Sequence, residues 1–485
     1  MRRRFFFPTL NSLLDQPVQR NIVKRALLII TCIGVAFAAA ILLREKPQSK
    51  LEAKTPVATA PLTAAEVLAK IPVPSGPSVT EKALAIAMGK VRDKTGDPVA
   101  WVNLGDAIAQ MLRDTANESY YEHAESAYRF SLNLNPSSVD AMTGMAWVMG
   151  GRHFFDKSKE WADRALDLDA TNAAALGILG DADVELGDYD EAYDHYQKMM
   201  DVKPDLSSWS RGAHLLWLTG DARRGTWLME KAIKAGAPFA ENTAWCRANL
   251  AMMLFSEGAF PSAAQALEPA LKASPKNPHV LLAAGRIAAA REDYPGAEMY
   301  FQRILENAPN HEALAALGDL CAVQGRAAEA EKYYGEVEAL DVQQFARAGH
   351  SHLAMAKFYA DHDRKPVEAL RMAEERKLTR NVNEADTLAW VYFKNGDQAR
   401  AIEAIKVALS RKTPNAEIHF HAGMIAAKFG DRVSAQNHFE QALTLNPHFS
   451  ILQAPLAAAE LAKLGGGTTT QAKAETTSPP EVLQP

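Results

Sequence analysis

The fold class this sequence predicts is all-α: a superhelical solenoid of about ten helix-turn-helix repeats, preceded by one N-terminal membrane-crossing helix. Three observations predict it. A 34-residue unit, seen most clearly over residues 173–206, recurs in one frame between Pro98 and Ser450. Each unit holds two runs of about a dozen residues with apolar positions at i, i+3, i+4 and i+7, the spacing of an amphipathic helix. Residues 26–43 (ALLIITCIGVAFAAAILL) are apolar and uncharged throughout.

The unit from Ala173 shows how its residues make two helices. Helix A is expected from Ala173 to about Leu186 and helix B from about Asp190 to Val202. Between them, Gly187 can take the left-handed conformation that closes a helix, and Asp188 is suited to starting the next. Gly180 and Ala192 are small enough to let the two helices approach closely. Pro204 cannot continue helix B, so the chain turns into the following unit. The register recurs at Leu250, Gly258, Ala263, Leu267 and Pro275, and at Leu281, Gly285, Ala297, Phe301 and Pro309. It recurs again at Leu314, Gly318, Gly325, Ala330 and Tyr334, at Leu388, Tyr392, Gly396 and Ala401, and at Gly423, Gly430, Ala435, Phe439 and Pro447.

Leu176, Leu179–Gly180, Gly187, Ala192, Tyr196 and Pro204 fall at the marker positions of the tetratricopeptide repeat, which the chain resembles across 98–450. The unit from Pro98 fits with extra residues around Arg113–Tyr121, and those from Val139, Leu206 and His350 keep the apolar stripe with fewer markers. Asp341–His352 reads either as part of a degenerate unit or as a long loop.

The ends are read from composition. Residues 1–25 form a basic segment, Arg2, Arg3, Arg4, Arg20, Lys24 and Arg25 against Asp15. Residues 26–43 reach about 27 Å as a helix, enough for a thin bilayer core. Four basic residues follow the span against six before it, which favours a cytoplasmic N-terminus and an extracytoplasmic body at the inner (plasma) membrane. The competing expectation is a signal peptide cleaved after Ala36-Phe37-Ala38, against which the apolar run continues to Leu43. Residues 44–78 read as a Pro/Ala-rich tether, 79–97 as a capping helix or half-repeat, 451–464 as a C-terminal capping helix, and 465–485 as a disordered tail.

Net charge is −5 overall, with +5 on residues 1–25 and +2 on 44–61, which leaves −12 on the remainder. An acidic body argues against nucleic acid, which needs a basic stripe. Cys32, Cys246 and Cys321 make no CxxC pair, so no disulfide framework, zinc or redox site is expected. The chain carries no P-loop, dinucleotide fingerprint, GxSxG or HExxH. In His350/His352 and His419/His421, residues two apart on a helix diverge by about 200°, so neither pair chelates by itself. No cofactor, metal or enzymatic activity is expected.

What remains is the inner face. The resemblance implies that helix A positions 2, 5, 9, 12 and 13 line the concave surface and contact ligands. Those positions hold Trp147, Trp217, Trp245, Phe255, Phe358, Trp390, Phe393 and Phe420, with fewer charges at Asp106, Asp181, Glu185, Arg286, Asp319, Asp361 and Lys394. Aromatic anchors suit a groove for an apolar or aromatic segment of a partner protein; alternatively, some of them fill the space between successive A helices. The expected function is a membrane-anchored scaffold or assembly factor, or, after signal cleavage, a secreted binder of polysaccharide or a small ligand. The carboxylate clamp and the asparagine ladder known in related repeats are not supported, since only Asn103 and Asn249 match the ladder. Asp386–Trp390 (D-x-L-A-W), His421–Ile425 (H-A-G-M-I) and Asn446–Ser450 also resemble the C-terminal end of a widespread group of bacterial proteins of this repeat type.

Overall fold

A computed structural model describes residues 63–465, except 116, 237–239, 349–352 and 376–378. The expected basic segment, the apolar span 26–43 and the tail from 466 lie outside these residues. Among the described residues, no helix is long and apolar enough to cross a membrane.

Among the described residues, twenty helices form ten antiparallel A/B pairs. They are α3 (Pro98–Thr115) with α4 (Tyr120–Leu134), α5 (Val139–Gly151) with α6 (Phe155–Leu168), and α7 (Ala173–Leu186) with α8 (Tyr189–Val202). Next come α9 (Leu206–Leu218) with α10 (Ala222–Ala235), α11 (Ala240–Ser256) with α12 (Phe260–Ala273), and α13 (Pro278–Ala290) with α14 (Tyr294–Leu305). The series ends with α15 (His311–Val323) and α16 (Ala327–Ala348), α17 (Leu353–Asp361) and α18 (Pro366–Glu374), α19 (Val382–Lys394) and α20 (Gln398–Ala408), and α21 (Ala416–Lys428) and α22 (Arg432–Leu445). Before them stand α1 (Ala64–Lys70) and α2 (Val79–Asp93), and after them α23 (Gln453–Lys463).

Two expectations need correction. Residues 64–70, placed in the tether, are helical because Thr63 and Glu66 form a reciprocal capping box and Val67 is buried. Residues 341–348, weighed as a loop, continue α16 to 22 residues. The insertion near Arg113 is absorbed by lengthening α3 to 18 residues.

Helix starts follow a rule the sequence carries in plain sight. The side chains of Ser138, Asn172, Asn277, Asn310, Asn381 and Asn415 each accept a backbone N–H at the start of an A helix. Each such cap stabilises its helix by about 1 kcal/mol. Asp221, Asp293, Asp397 and Asp431 do the same for B helices. Asp188 does not, although it precedes α8; its carboxylate pairs with Arg380 instead.

Within a pair, one glycine on helix A faces one ring on helix B. A Cβ at Gly105, Gly180, Gly285, Gly318 or Gly423 would overlap Tyr128, Tyr196, Phe301, Tyr334 or Phe439 respectively. These rings are buried, and so is the alanine four residues before each. Gly285→Ala is therefore expected to lower the thermal midpoint, at a cost of about 1–3 kcal/mol from overpacking. Gly89→Ala is the control, because a Cβ there meets nothing within 4 Å. It should raise the midpoint slightly, by up to about 1 kcal/mol, since glycine in a helix interior is unfavourable.

The solenoid also meets itself. Asn381 Nδ2 donates to the carbonyls of Val184 (3.1 Å) and Glu185 (3.2 Å), and the Val382 N–H donates to Tyr189 Oη (2.9 Å). One repeat on, Thr413 Oγ1 donates to Leu218 O, and then Asn446 Nδ2 donates to Phe255 O at 2.8 Å. These partners are 197, 195 and 191 residues apart in sequence. The accepting carbonyls lie at the ends of α7, α9 and α11, where a helix has no partner of its own to offer. Gly187, Gly220 and Gly258, with φ of 79°, 93° and 75°, sit at the same three corners. A side chain on any of them would run into the backbone of the later repeat. Arg411 over the Tyr189 ring (5.1 Å) and His448 against Phe260 (5.7 Å) complete this inter-turn seam.

Candidate functional site

The eight aromatics expected on the inner face lie on A helices and divide into two groups. Phe255, Phe358, Trp390 and Phe420 are buried, at 7%, 7%, 3% and 1% exposure. They are taken up by packing within the array: Phe358 lies on Tyr334 of the preceding B helix (5.8 Å), Phe420 on Phe439 of its own B helix (6.4 Å), and Trp390 on Phe420 of the next A helix (5.7 Å). Phe255 lies edge-on to Phe260 at 5.5 Å. Trp147, Trp217, Trp245 and Phe393 are only half-buried. Trp147 lies beneath the Arg113 guanidinium (5.4 Å), and Trp217 Nε1 has no hydrogen-bond partner.

The acidic groups of this face are held from behind. The hydroxyls of Tyr128, Tyr196 and Tyr334 donate to Asp106 (2.8 Å), Asp181 (2.8 Å) and Asp319 (2.9 Å), the same A/B relation in three repeats. Arg211 grips Asp181 through two guanidinium nitrogens, and His362 Nε2 lies 2.7 Å from Asp319. Burial, then the neighbouring Asp106 or Asp181 charge, pushes the Tyr128 and Tyr196 hydroxyls well above the usual tyrosine range. Surrounding protein raises the Asp106 and Glu185 carboxyls by partial loss of hydration, in Asp106 against the Tyr128 hydrogen bond that lowers it. Glu185, further opposed by Glu384 and Asp181, is pushed up to about 7.

The inner face is narrow. Glu241 on α11 lies near Gln110 on α3, four repeats earlier, and burial there raises its carboxyl. Lys357 on α17 bridges Asp361 and Glu417, both at 2.6 Å, the latter two repeats ahead on α21. Gln453 on α23 donates to Asp361 at 2.9 Å. Burial alone would raise the Glu417 carboxyl, but the Lys357 ammonium holds it down at about 2.

Three residues quoted for the bacterial resemblance meet here. His421 Nδ1 lies 2.9 Å from Asp386, and the Trp390 ring stacks on the imidazole at 4.2 Å and 16°. His421 and His419 do face apart: His419 Nδ1 lies 3.2 Å from His438 Nδ1. Lys357, Asp386, Glu417, His421 and Gln453 were not singled out as site residues by sequence reasoning. They come from four helices, and only the Asp386/His421 motif spacing carried a signal.

Comparison with known proteins agrees with this repeat architecture. Residues 254–317 and 416–449 match models of the tetratricopeptide repeat. A curated Arabidopsis thaliana protein, "Protein CTR9 homolog", is 28% identical over 291 residues, 50% of this chain and 26% of that protein. The chain thus matches about a quarter of that relative's length. Among solved structures, PilW, a "widely conserved type IV pilus biogenesis factor", is 17% identical with a TM-score of 0.36, over 41% of this chain and 92% of PilW. YrrB, "a TPR protein with an unusual peptide-binding site", is 20% identical with a TM-score of 0.27, over 39% of this chain and 97% of YrrB. A monomeric IFIT1 mutant with Gppp-AAAA is 15% identical with a TM-score of 0.44, over 68% of this chain and 75% of that one. The described residues are all-helical and carry tetratricopeptide repeats at 254–317 and 416–449, repeats that generally serve as non-catalytic protein–protein interaction modules.

Proposed function

We propose that this tetratricopeptide-repeat protein is a membrane-anchored bacterial scaffold or assembly factor that holds an extended segment of a partner polypeptide on its inner face. The observation that carries the reading is the set of half-buried aromatics, Trp147, Trp217, Trp245 and Phe393, which pack on the core by one side and keep part of their surface exposed, whereas the other four are buried. Large rigid rings with a polar edge make strong anchors at low entropic cost. The narrow face suits one extended strand better than a folded domain. Residues 26–43 supply the single span, with the N-terminus cytoplasmic and the repeats extracytoplasmic.

Two experiments test it. Crosslinking of the full chain followed by identification of bound proteins should yield a partner whose capture falls at least about tenfold when Trp147, Trp217 and Trp245 are changed to alanine. Unchanged capture by a folded triple variant would remove the inner face from the interaction. Protease added to intact spheroplasts should digest the repeats; protection would put them in the cytoplasm. A soluble chain beginning near Ala39 would instead favour the secreted reading, with a polysaccharide or small ligand in the partner's place.

A further inference from the structure

The cluster at the C-terminal end of the inner face has features that packing does not require. One ligand atom from each of Asp361, Glu417 and His421 lies within 4.8 Å of the others. The His421 side chain is 0% exposed, and while Nδ1 is committed to Asp386, Nε2 has no hydrogen-bond partner. The carboxamide oxygen of Gln453, whose nitrogen already holds Asp361, is also buried without a partner. Leaving such atoms unpaired costs about 1–3 kcal/mol each, so a buried pair of them asks for something to bond.

Charge points to what that something is. Asp361, Asp386 and Glu417 bring three carboxylates to one ammonium, Lys357, since the nearby Arg286 is paired with Glu312 at 3.0 Å. A carboxylate on Nδ1 is the arrangement that orients a metal-binding imidazole and leaves Nε2 as the donor. We propose that Asp361, Glu417 and His421 form a site for a first-row divalent cation of the zinc type, which displaces the Lys357 ammonium from between the two carboxylates. One nitrogen and two oxygens, with the Gln453 oxygen or water as a fourth donor, match the ligands that zinc accepts. Around a tetrahedral zinc ion such donors stand about 3.4 Å apart, so the three side chains close in by rotamer adjustment once the ammonium leaves. Lys357 has an exit, its side chain being 28% exposed. Asp386 is a positioning residue, acting through His421. The site is independent of the partner-binding reading and joins α17, α21 and, through Gln453, α23.

The test uses the full-length chain, stripped with chelator and titrated with Zn²⁺ and, for its visible spectrum, Co²⁺. Lys357→Met should bind one equivalent at least tenfold more tightly than the unaltered chain, with the intense absorption of four-coordinate Co²⁺. The same variant without metal should melt early, and Zn²⁺ should restore its midpoint. Adding His421→Ala or Glu417→Gln to Lys357→Met should abolish both effects. Asp386→Asn, which keeps a hydrogen-bond partner for the imidazole, should weaken binding and shift the Co²⁺ spectrum. Equal binding by Lys357→Met and the unaltered chain, or binding that survives His421→Ala, would overturn the proposal.

Discussion

Gly187→Ala is expected to lower the thermal midpoint well below that of Gly325→Ala, although the two glycines occupy equivalent corners. Both close helix A with positive φ, 79° and 74°, so alanine pays a similar left-handed strain at each, about 1–2 kcal/mol. They differ in what lies outside. A Cβ at Gly325 meets nothing within 4 Å, whereas one at Gly187 would overlap the backbone of Arg380 and Asn381. Backbone cannot rotate out of the way, so the later repeat must lift. That breaks the two Asn381 bonds to Val184 and Glu185 and the Val382–Tyr189 bond. At about 1 kcal/mol net for each hydrogen bond, the extra loss is about 3 kcal/mol. Denaturant midpoints of the two variants give the difference directly, and hydrogen exchange at the Val382 amide reports whether the seam has opened. Equal midpoints would mean that the inter-turn contact carries no stability.

That contrast also marks what could be read from the chain alone. The helix pairs were legible because each depends on neighbours within 34 residues: Gly285 against Phe301, Asn277 capping α13, Pro204 after α8. Local spacing encodes local packing. The seam was not legible, because Gly187 has the same sequence reason to exist as Gly325, and nothing in the repeat frame pairs it with Asn381. The inner face was half legible. Its aromatics fall where the frame puts them, but whether a ring anchors a ligand or fills the space between helices depends on the curvature of the superhelix. Trp390 went to packing because the superhelix brings Phe420 and His421 of the next repeat against it. The Lys357 cluster was hidden for the same reason, since α17, α19, α21 and α23 meet only after the curvature is set.

The seam has a consequence for cooperativity, and Leu461→Asp tests it. In an ordinary solenoid each repeat touches only its neighbours, so damage at one end stays there. Leu461 on α23 is 2% exposed and packs in one cluster with Phe420 and Phe439 of the last repeat. A carboxylate in that position loses its hydration without gaining a partner, at several kcal/mol, so α23 should detach and the last repeat loosen. Nearest-neighbour logic confines the resulting hydrogen exchange to about residues 416–463. Here Asn446 is 0% exposed and bonds Phe255 O across 191 residues of sequence. Exchange should therefore also rise at the Gly258 and Ala259 amides, five repeats away, while residues 173–180 stay protected. Adding Asn446→Ala to the folded chain without Leu461→Asp should reproduce that distant effect alone. If Leu461→Asp leaves 254–260 untouched, the turns stack without coupling. If it reaches them, the inner face opens and closes as one piece, and a partner strand entering it must first separate the seam.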